Sequence, residues 1–202
     1  MSRDTKGKYV EVALQIVAED GLDGLSLREV ARRLGVSHQA PYRHFPSREH
    51  VVAELIRRSF IEFSNRLRTA AASTDPYVHF REMGHAYLDF AMDHSLQYHL
   101  MFGTLMPQND DHVEMRKEST AAFDLLLNAI AAIRTSQGES VAKPALERDA
   151  MFVWSALHGF VELQRKMVRR DGPVDVSGSE MRESLFQSVE LGLRKGRQRT
   201  SP

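Results

Sequence analysis

"SLREVARRLGVSHQAPYRHF", residues 26–45, sets two serine-started segments and a glycine corner within twenty residues. Ser26 precedes the apolar run Leu27, Val30, Leu34, and Glu29 follows it by three positions. At that spacing a serine hydroxyl accepts from the amide three residues on, while the glutamate reaches back to the serine amide. The pattern predicts a short helix from Ser26 to Leu34. Ala31 is small where two helices must approach, Gly35 supplies the positive φ of a tight corner, and Val36 is an apolar plug. Helix, corner, helix is the grammar of a helix-turn-helix unit.

The second segment is expected to be a helix starting at Ser37. Pro41 and Phe45 lie four apart on one face, and both are apolar, so that face points inward. The opposite face then carries His38, Gln39, Tyr42 and Arg43, a set suited to a duplex groove. Gln and Arg pair bidentately with adenine and guanine edges, while His and Tyr reach phosphates. Free backbone amides at Ser37 would add a phosphate site without a charge. Ser47 and Arg48, which open the next helix, would offer another. Plain solvation also produces short helices with polar outer faces, so the reading rests on the caps, Gly35, Ala31 and the polar face together.

Outward from this stretch the chain reads as helix almost throughout. A first helix covers Tyr9 to Asp20, with Val10, Ala13, Ile16 and Val17 on one face, and Gly21 ends it. After Pro46 a long helix runs from Arg48 to about Ala72 and looks like a connector. Helices are expected at Tyr77–Asp93, 95–102, Val113–Arg134, Pro144–Arg170 and Ser179–Arg197, with a loop at 103–112 and a frayed end at 194–202. No alternating β-branched run bounded by turns is present.

Composition removes several function classes. The chain has 202 residues and no cysteine, which excludes a disulfide framework, thiol catalysis and cysteine-ligated zinc. Charge is balanced, 27 basic against 27 acidic, with a slight basic excess of 10 to 8 over residues 1–58. No nucleophile elbow, phosphate loop or dinucleotide fingerprint occurs, so neither an enzyme nor a cofactor is expected. His85, Asp89, Asp93, His94 and His99 form no tight ligand motif; no metal is expected, and Asp89 and Asp93 are read as solvated or paired. With no signal-like or membrane-length apolar run, a cytoplasmic protein without membrane contact is expected.

ALQIVAEDG (13–21), LSLREVARRLGVS (25–37) and YRHFPSREHVVAEL (42–55) resemble, in order, the DNA-binding domain of the TetR-type family of bacterial transcriptional regulators. One departure is Pro41, where that family usually has a branched aliphatic residue. The resemblance implies that Ser26 and Arg28 contact phosphates or a neighbouring base. It implies that Ser37, His38, Gln39 and Ala40 enter the major groove, and that Tyr42, His44 and Arg48 hold the DNA backbone. Arg43 joins the set from helix geometry, and Ala13, Ile16, Val17, Val30, Leu34 and Phe45 are core.

YHLMFGT (98–104) and WSALHGF (154–160) further resemble a WHG-type C-terminal domain of one branch of these regulators. The implied architecture is all-α: an N-terminal three-helix helix-turn-helix domain, residues 1–50, joined by a long helix to a C-terminal ligand-binding and dimerisation bundle, residues 51–202. The implied function is a DNA-binding regulator, a homodimer on a palindromic operator, acting as a repressor released by a largely apolar small molecule. The alternative is a helical protein-interaction module that binds no DNA. Candidate pocket residues are Met83, Tyr87, Tyr98 and Phe102, with Phe123, Leu127, Phe152 and Trp154. His158, four residues after Trp154, either packs beside it or joins the pocket wall. Leu157 and Val161 on one helix, with Met181, Leu185, Val189 and Leu193 on the next, are the expected dimer contacts.

Overall fold

The computed structural model of the chain describes residues 2–70, 72–103, 112–167 and 178–195. Among the described residues there are eight α-helices, one 3-10 turn and no strand: α1 Ser2–Gly24, α2 Leu27–Leu34, the 3-10 turn Pro41–Arg43, α3 Arg48–Ala70, α4 Pro76–Asp93, α5 Ser95–Phe102, α6 Val113–Ser136, α7 Lys143–Met167 and α8 Gly178–Lys195. Apart from the segment starting at Ser37, the expected order of helices holds. Most of the expected 103–112 loop, the DGPVDV stretch between the last two helices and the end from 196 lie outside the described residues. The chain forms two compact units, residues 1–62 with 94–122 and residues 63–93 with 123–202.

In the first unit, α1 starts at Ser2, earlier than expected, and its path breaks at Gly21, where φ is 70°. The buried side chains of α1 are Tyr9, Val10, Ala13, Ile16 and Val17. Those of α2 are Leu27, Val30 and Ala31, with Leu34 half-buried. Ser26 caps α2 as expected, accepting from the Glu29 amide at 3.1 Å. Gly35 closes it in the left-handed region (φ 65°, ψ 29°), its amide reaching the Ala31 and Arg32 carbonyls. The reciprocal half of the capping box does not form. The Glu29 carboxylate accepts instead from Arg32 at 2.7 Å and from Arg33 at 2.9 Å, because charge-assisted guanidinium bonds outcompete one neutral amide.

The helix expected from Ser37 is a correction. Residues 38–40 form a turn, followed by the 3-10 turn Pro41–Arg43. Pro41 has no N–H to give the Ser37 carbonyl, so that carbonyl takes the Ala40 amide at 2.9 Å, an i to i−3 bond. His44 and Phe45 amides both then bond the Pro41 carbonyl at 2.9 Å. Ala40 keeps right-handed helical angles (φ −62°, ψ −45°), a conformation disfavoured before proline.

α3 continues the core of this unit through Val51, Val52, Leu55, Ile56 and Phe60. Glu54, 8% exposed, accepts two bonds from Arg57 at 2.8 Å and one from Arg58 at 3.1 Å. Lys6 of α1 lies 3.9 Å from the same carboxylate and 5.3 Å from the Phe45 ring centre, tying α1 to α3. Phe60 meets Phe102 edge-on at 5.8 Å, and Phe102 meets Tyr98 at 4.9 Å.

In the second unit, Asp75 caps α4 by accepting from the Tyr77 and Val78 amides at 2.8 and 3.0 Å. Phe63 of α3 packs against Tyr87 and Phe90 of α4. α4 and α8 approach closely at Gly84. A methyl placed there would lie 2.3 Å from a ring carbon of Phe186, which is fully buried and also stacks on His85 at 4.5 Å. Arg134 of α6 is buried and binds Asp149 of α7 at 2.6 Å and the Leu193 carbonyl of α8 at 2.7 Å, joining three helices. Asp89 pairs with Arg182 at 2.6 Å and Asp93 with Arg66 at 3.2 Å, as expected of paired carboxylates.

Replacing Pro41 by Ala restores the missing donor. The new amide at position 41 should bond the Ser37 carbonyl, residues 37–45 should give helical chemical shifts, and that amide should become protected in hydrogen exchange.

Candidate nucleic-acid interface

The recognition segment hangs between two fixed ends. At one end Gly35 closes α2. At the other, Arg48 opens α3 and turns its guanidinium back onto the chain, Nε donating to the Leu25 carbonyl at 3.0 Å and Nη2 to the Leu22 carbonyl. Between them Pro41 and Phe45 are buried, as expected, and anchor the segment to the core. Outward from those anchors stand Ser37, His38, Gln39, Tyr42 and Arg43, all exposed; Ala40 is half-buried. The polar face read from the sequence is therefore present, carried on a turn rather than on a helix. The phosphate site expected from a helix start at Ser37 loses its basis, since no helix begins there.

The remaining candidates divide by partner. Ser26 and Arg28 are exposed at the start of α2. His44 is half-buried, its ring 5.3 Å from that of Tyr9. Ser47 bonds His50 Nδ1 through its hydroxyl at 2.9 Å, and the His50 ring meets that of His112 at 5.0 Å. The family resemblance puts Arg48 on the DNA backbone. Its two bonds to main-chain carbonyls make it a positioning residue, which holds the start of α3 to the turn before α2. No local pattern announces this, because the acceptors lie 23 and 26 residues away.

Electrostatics sorts the basic residues further. Arg33 bridges α2 to the end of α1 through Glu19 at 2.5 Å and Asp20 at 2.9 Å. Hydrogen bonds from Arg32 and then Arg33 hold the Glu29 carboxyl down at about 2. Arg32 and Arg33 are thus paired with carboxylates within the chain, while Arg28 at the start of α2 and Arg43 in the 3-10 turn are exposed.

The expected pocket residues are distributed over the two units. Tyr98 and Phe102 belong to the first unit, and the others to the second. There Met83 and Tyr87 are buried and Leu127 and His158 half-buried; Phe123 meets Trp154 at 5.8 Å, while Phe152 is 53% exposed. Of the expected dimer residues, Leu157, Val161, Val189 and Leu193 are buried inside the second unit, and Met181 and Leu185 are half-buried. For Leu157, Val161, Val189 and Leu193 the expectation is corrected, since they fill the unit's own core. The apolar residues left at the surface of α7 and α8 are Met151, Phe152, Leu163 and Leu191.

Comparison with known proteins follows the same division. Residues 10–55 match the model of bacterial regulatory proteins of the tetR family, and residues 80–182 match the tetracyclin repressor-like C-terminal domain. The chain belongs to the TetR family. It is 29% identical to the uncharacterized HTH-type transcriptional regulator Rv0681 of Mycobacterium tuberculosis H37Rv, over 92% of this chain and 82% of that one. It is 21% identical to the uncharacterized HTH-type regulator YobS of Bacillus subtilis 168, over 94% and 89%. The TetR-family transcriptional regulator PfmR of Thermus thermophilus shares the fold, with a TM-score of 0.63 at 20% identity, over 92% of this chain and 97% of that one. This TetR-family chain is a DNA-binding transcriptional regulator with an all-helical fold, and the interaction-module alternative gives way to that reading. Among its described residues no helix is long and apolar enough to cross a membrane.

Two predictions separate reading from positioning in this regulator. Gln39→Ala should relax base preference at symmetric operator positions by ~1–3 kcal/mol and leave thermal stability unchanged. Arg48→Ala should lower stability by ~1 kcal/mol, measured by urea unfolding of both variants.

The Glu29 fork sets a pH dependence. Its folded-state value lies below its ordinary 4.5, so its contribution is complete above about 4.5 and disappears as pH falls towards about 2. The difference in melting temperature between the native chain and Glu29→Gln should therefore be largest near neutrality and shrink steadily below pH 4.5.

Proposed function

We propose that the regulator is a cytoplasmic homodimeric repressor that grips a palindromic operator through two copies of the 37–43 segment and lets go when a small molecule binds residues 51–202. In this reading residues 1–50 bind DNA and the rest senses and dimerises. The observation that carries it is the outward set Gln39, Tyr42 and Arg43 standing over the buried Pro41 and Phe45. One such segment spans few base pairs, so useful specificity needs two, on half-sites about 34 Å apart or a multiple of that.

The dimer face is drawn from what the second unit leaves uncovered. Phe152, Ala156, Gly159 and Leu163 recur at i, i+4, i+7 and i+11 on α7, with large apolar ends and small residues between. Phe152 lies against Gly192 of α8, beside Leu191, so the apolar surface continues across both helices. Two copies of this face, paired about a two-fold axis, make a four-helix contact.

Operator fragments selected from genomic DNA test the reading. The selected motif should be palindromic, and Leu163→Glu with Leu191→Glu should give a folded monomer by light scattering that has lost most of its operator affinity. An asymmetric motif, or a dimer of unchanged mass, contradicts it. A true inducer should loosen DNA by about 5- to 150-fold, and by linkage operator DNA should weaken inducer binding by the same factor.

A further inference from the structure

A cleft of about 290 Å³ opens in the second unit between the last turns of α3, the start of α4 and the second half of α6. Leu67, Met83, Leu125 and Ala129 line it with apolar surface, and Arg68 and His79 add polar groups. Among the described residues, no carboxylate lines it.

Arg68 differs from the arginines around it. Arg66, Arg81, Arg134 and Arg182 each hold a carboxylate. Among the described residues, the only side-chain partner of Arg68 is the Asn65 amide oxygen, 3.1 Å from Nη1. The His79 imidazole bonds no described residue, although its backbone amide caps onto the Asp75 carbonyl. A guanidinium without a carboxylate and an imidazole beside an apolar wall form an amphipathic receptor: the wall takes a hydrocarbon body, and the two N–H groups take an acceptor. A carboxylate suits them because its two oxygens match the guanidinium fork and the bond is charge-assisted.

We propose that this cleft binds a small organic monocarboxylate, its head on Arg68 and His79 and its apolar body against Leu67, Met83 and Ala129. At the ~30 Å³ share of a water molecule, the volume admits on the order of ten non-hydrogen atoms. The proposal rests on the effector-responsive reading above for its biological meaning, but binding itself is measured without DNA.

Isothermal titration of the full chain with octanoate, 3-phenylpropionate and 4-methylpentanoate, each against its neutral amide, tests it. At least one carboxylate should bind about tenfold or more tightly than its amide. Arg68→Gln, a surface change, should bring that pair within about twofold, and Arg68→Lys should restore part of the preference. Ala129→Phe should abolish binding of acid and amide alike, with a melting curve to confirm folding. If no acid outbinds its amide, or if Arg68→Gln leaves the preference intact, the proposal is overturned. An acid that binds through Arg68 but leaves the operator complex intact upholds the site and removes the inducer role. Operator binding that persists while no acid binds removes the site and leaves the DNA-binding reading standing.

Discussion

The two bonds from Arg48 to the Leu22 and Leu25 carbonyls fix the geometry on which the proposed DNA-facing surface depends. The segment between α2 and α3 is too short, and too poor in backbone bonds, to hold a shape of its own. Its conformation is set by its ends and by two buried side chains. Gly35 fixes the exit from α2, Arg48 fixes the entry to α3, and Pro41 and Phe45 hold the middle down. Lys6 adds a further tie by bridging the Phe45 ring and the buried Glu54 carboxylate. The Arg48 and Lys6 ties join residues that are distant in sequence, so the segment is ordered by the tertiary fold as well as by local bonds.

Charge in the first unit is used largely for assembly. Glu29 and Glu54 each gather two or more cations, and Arg33 spans Glu19, Asp20 and Glu29. This explains how a chain with balanced charge presents a DNA-binding surface at all. Arg32, Arg33, Arg57 and Arg58 are paired with carboxylates, while Arg28 at the start of α2 and Arg43 in the polar face are exposed. The exposed pairs among these contribute little stability each; their structural effect is to leave Arg28 and Arg43 as arginines free of a carboxylate partner among the described residues.

The local features were legible in the sequence because their physics is local. Ser26 and Gly35 act through bonds to residues three or four away, and the inward pair Pro41 and Phe45 follows from helical spacing. The 3-10 form of the segment was legible in principle, since a proline without an N–H stood in the first turn, but a lost bond there is often tolerated and the outcome depends on packing. On α7 and α8 the periodicity was present and the burial side was not, because a helix facing its own core and one facing a second subunit repeat at the same interval. Leu157, Val161, Val189 and Leu193 turned inward for that reason, while Phe152, Leu163 and Leu191 stayed out. The Arg134 tie between α6, α7 and α8 left no trace in spacing, its partners lying 15 and 59 residues away.

The approach of α4 and α8 at Gly84 carries an evolutionary constraint. A side chain of any kind at position 84 collides with the Phe186 ring unless that ring shifts, and the ring is fully buried and lies against His85. The two positions are therefore not free to drift separately. A descendant that acquires alanine or serine at 84 survives only by shrinking residue 186 or by moving the helices apart. Covariation between these two positions, 102 residues apart in the chain, is the historical signature this contact imposes.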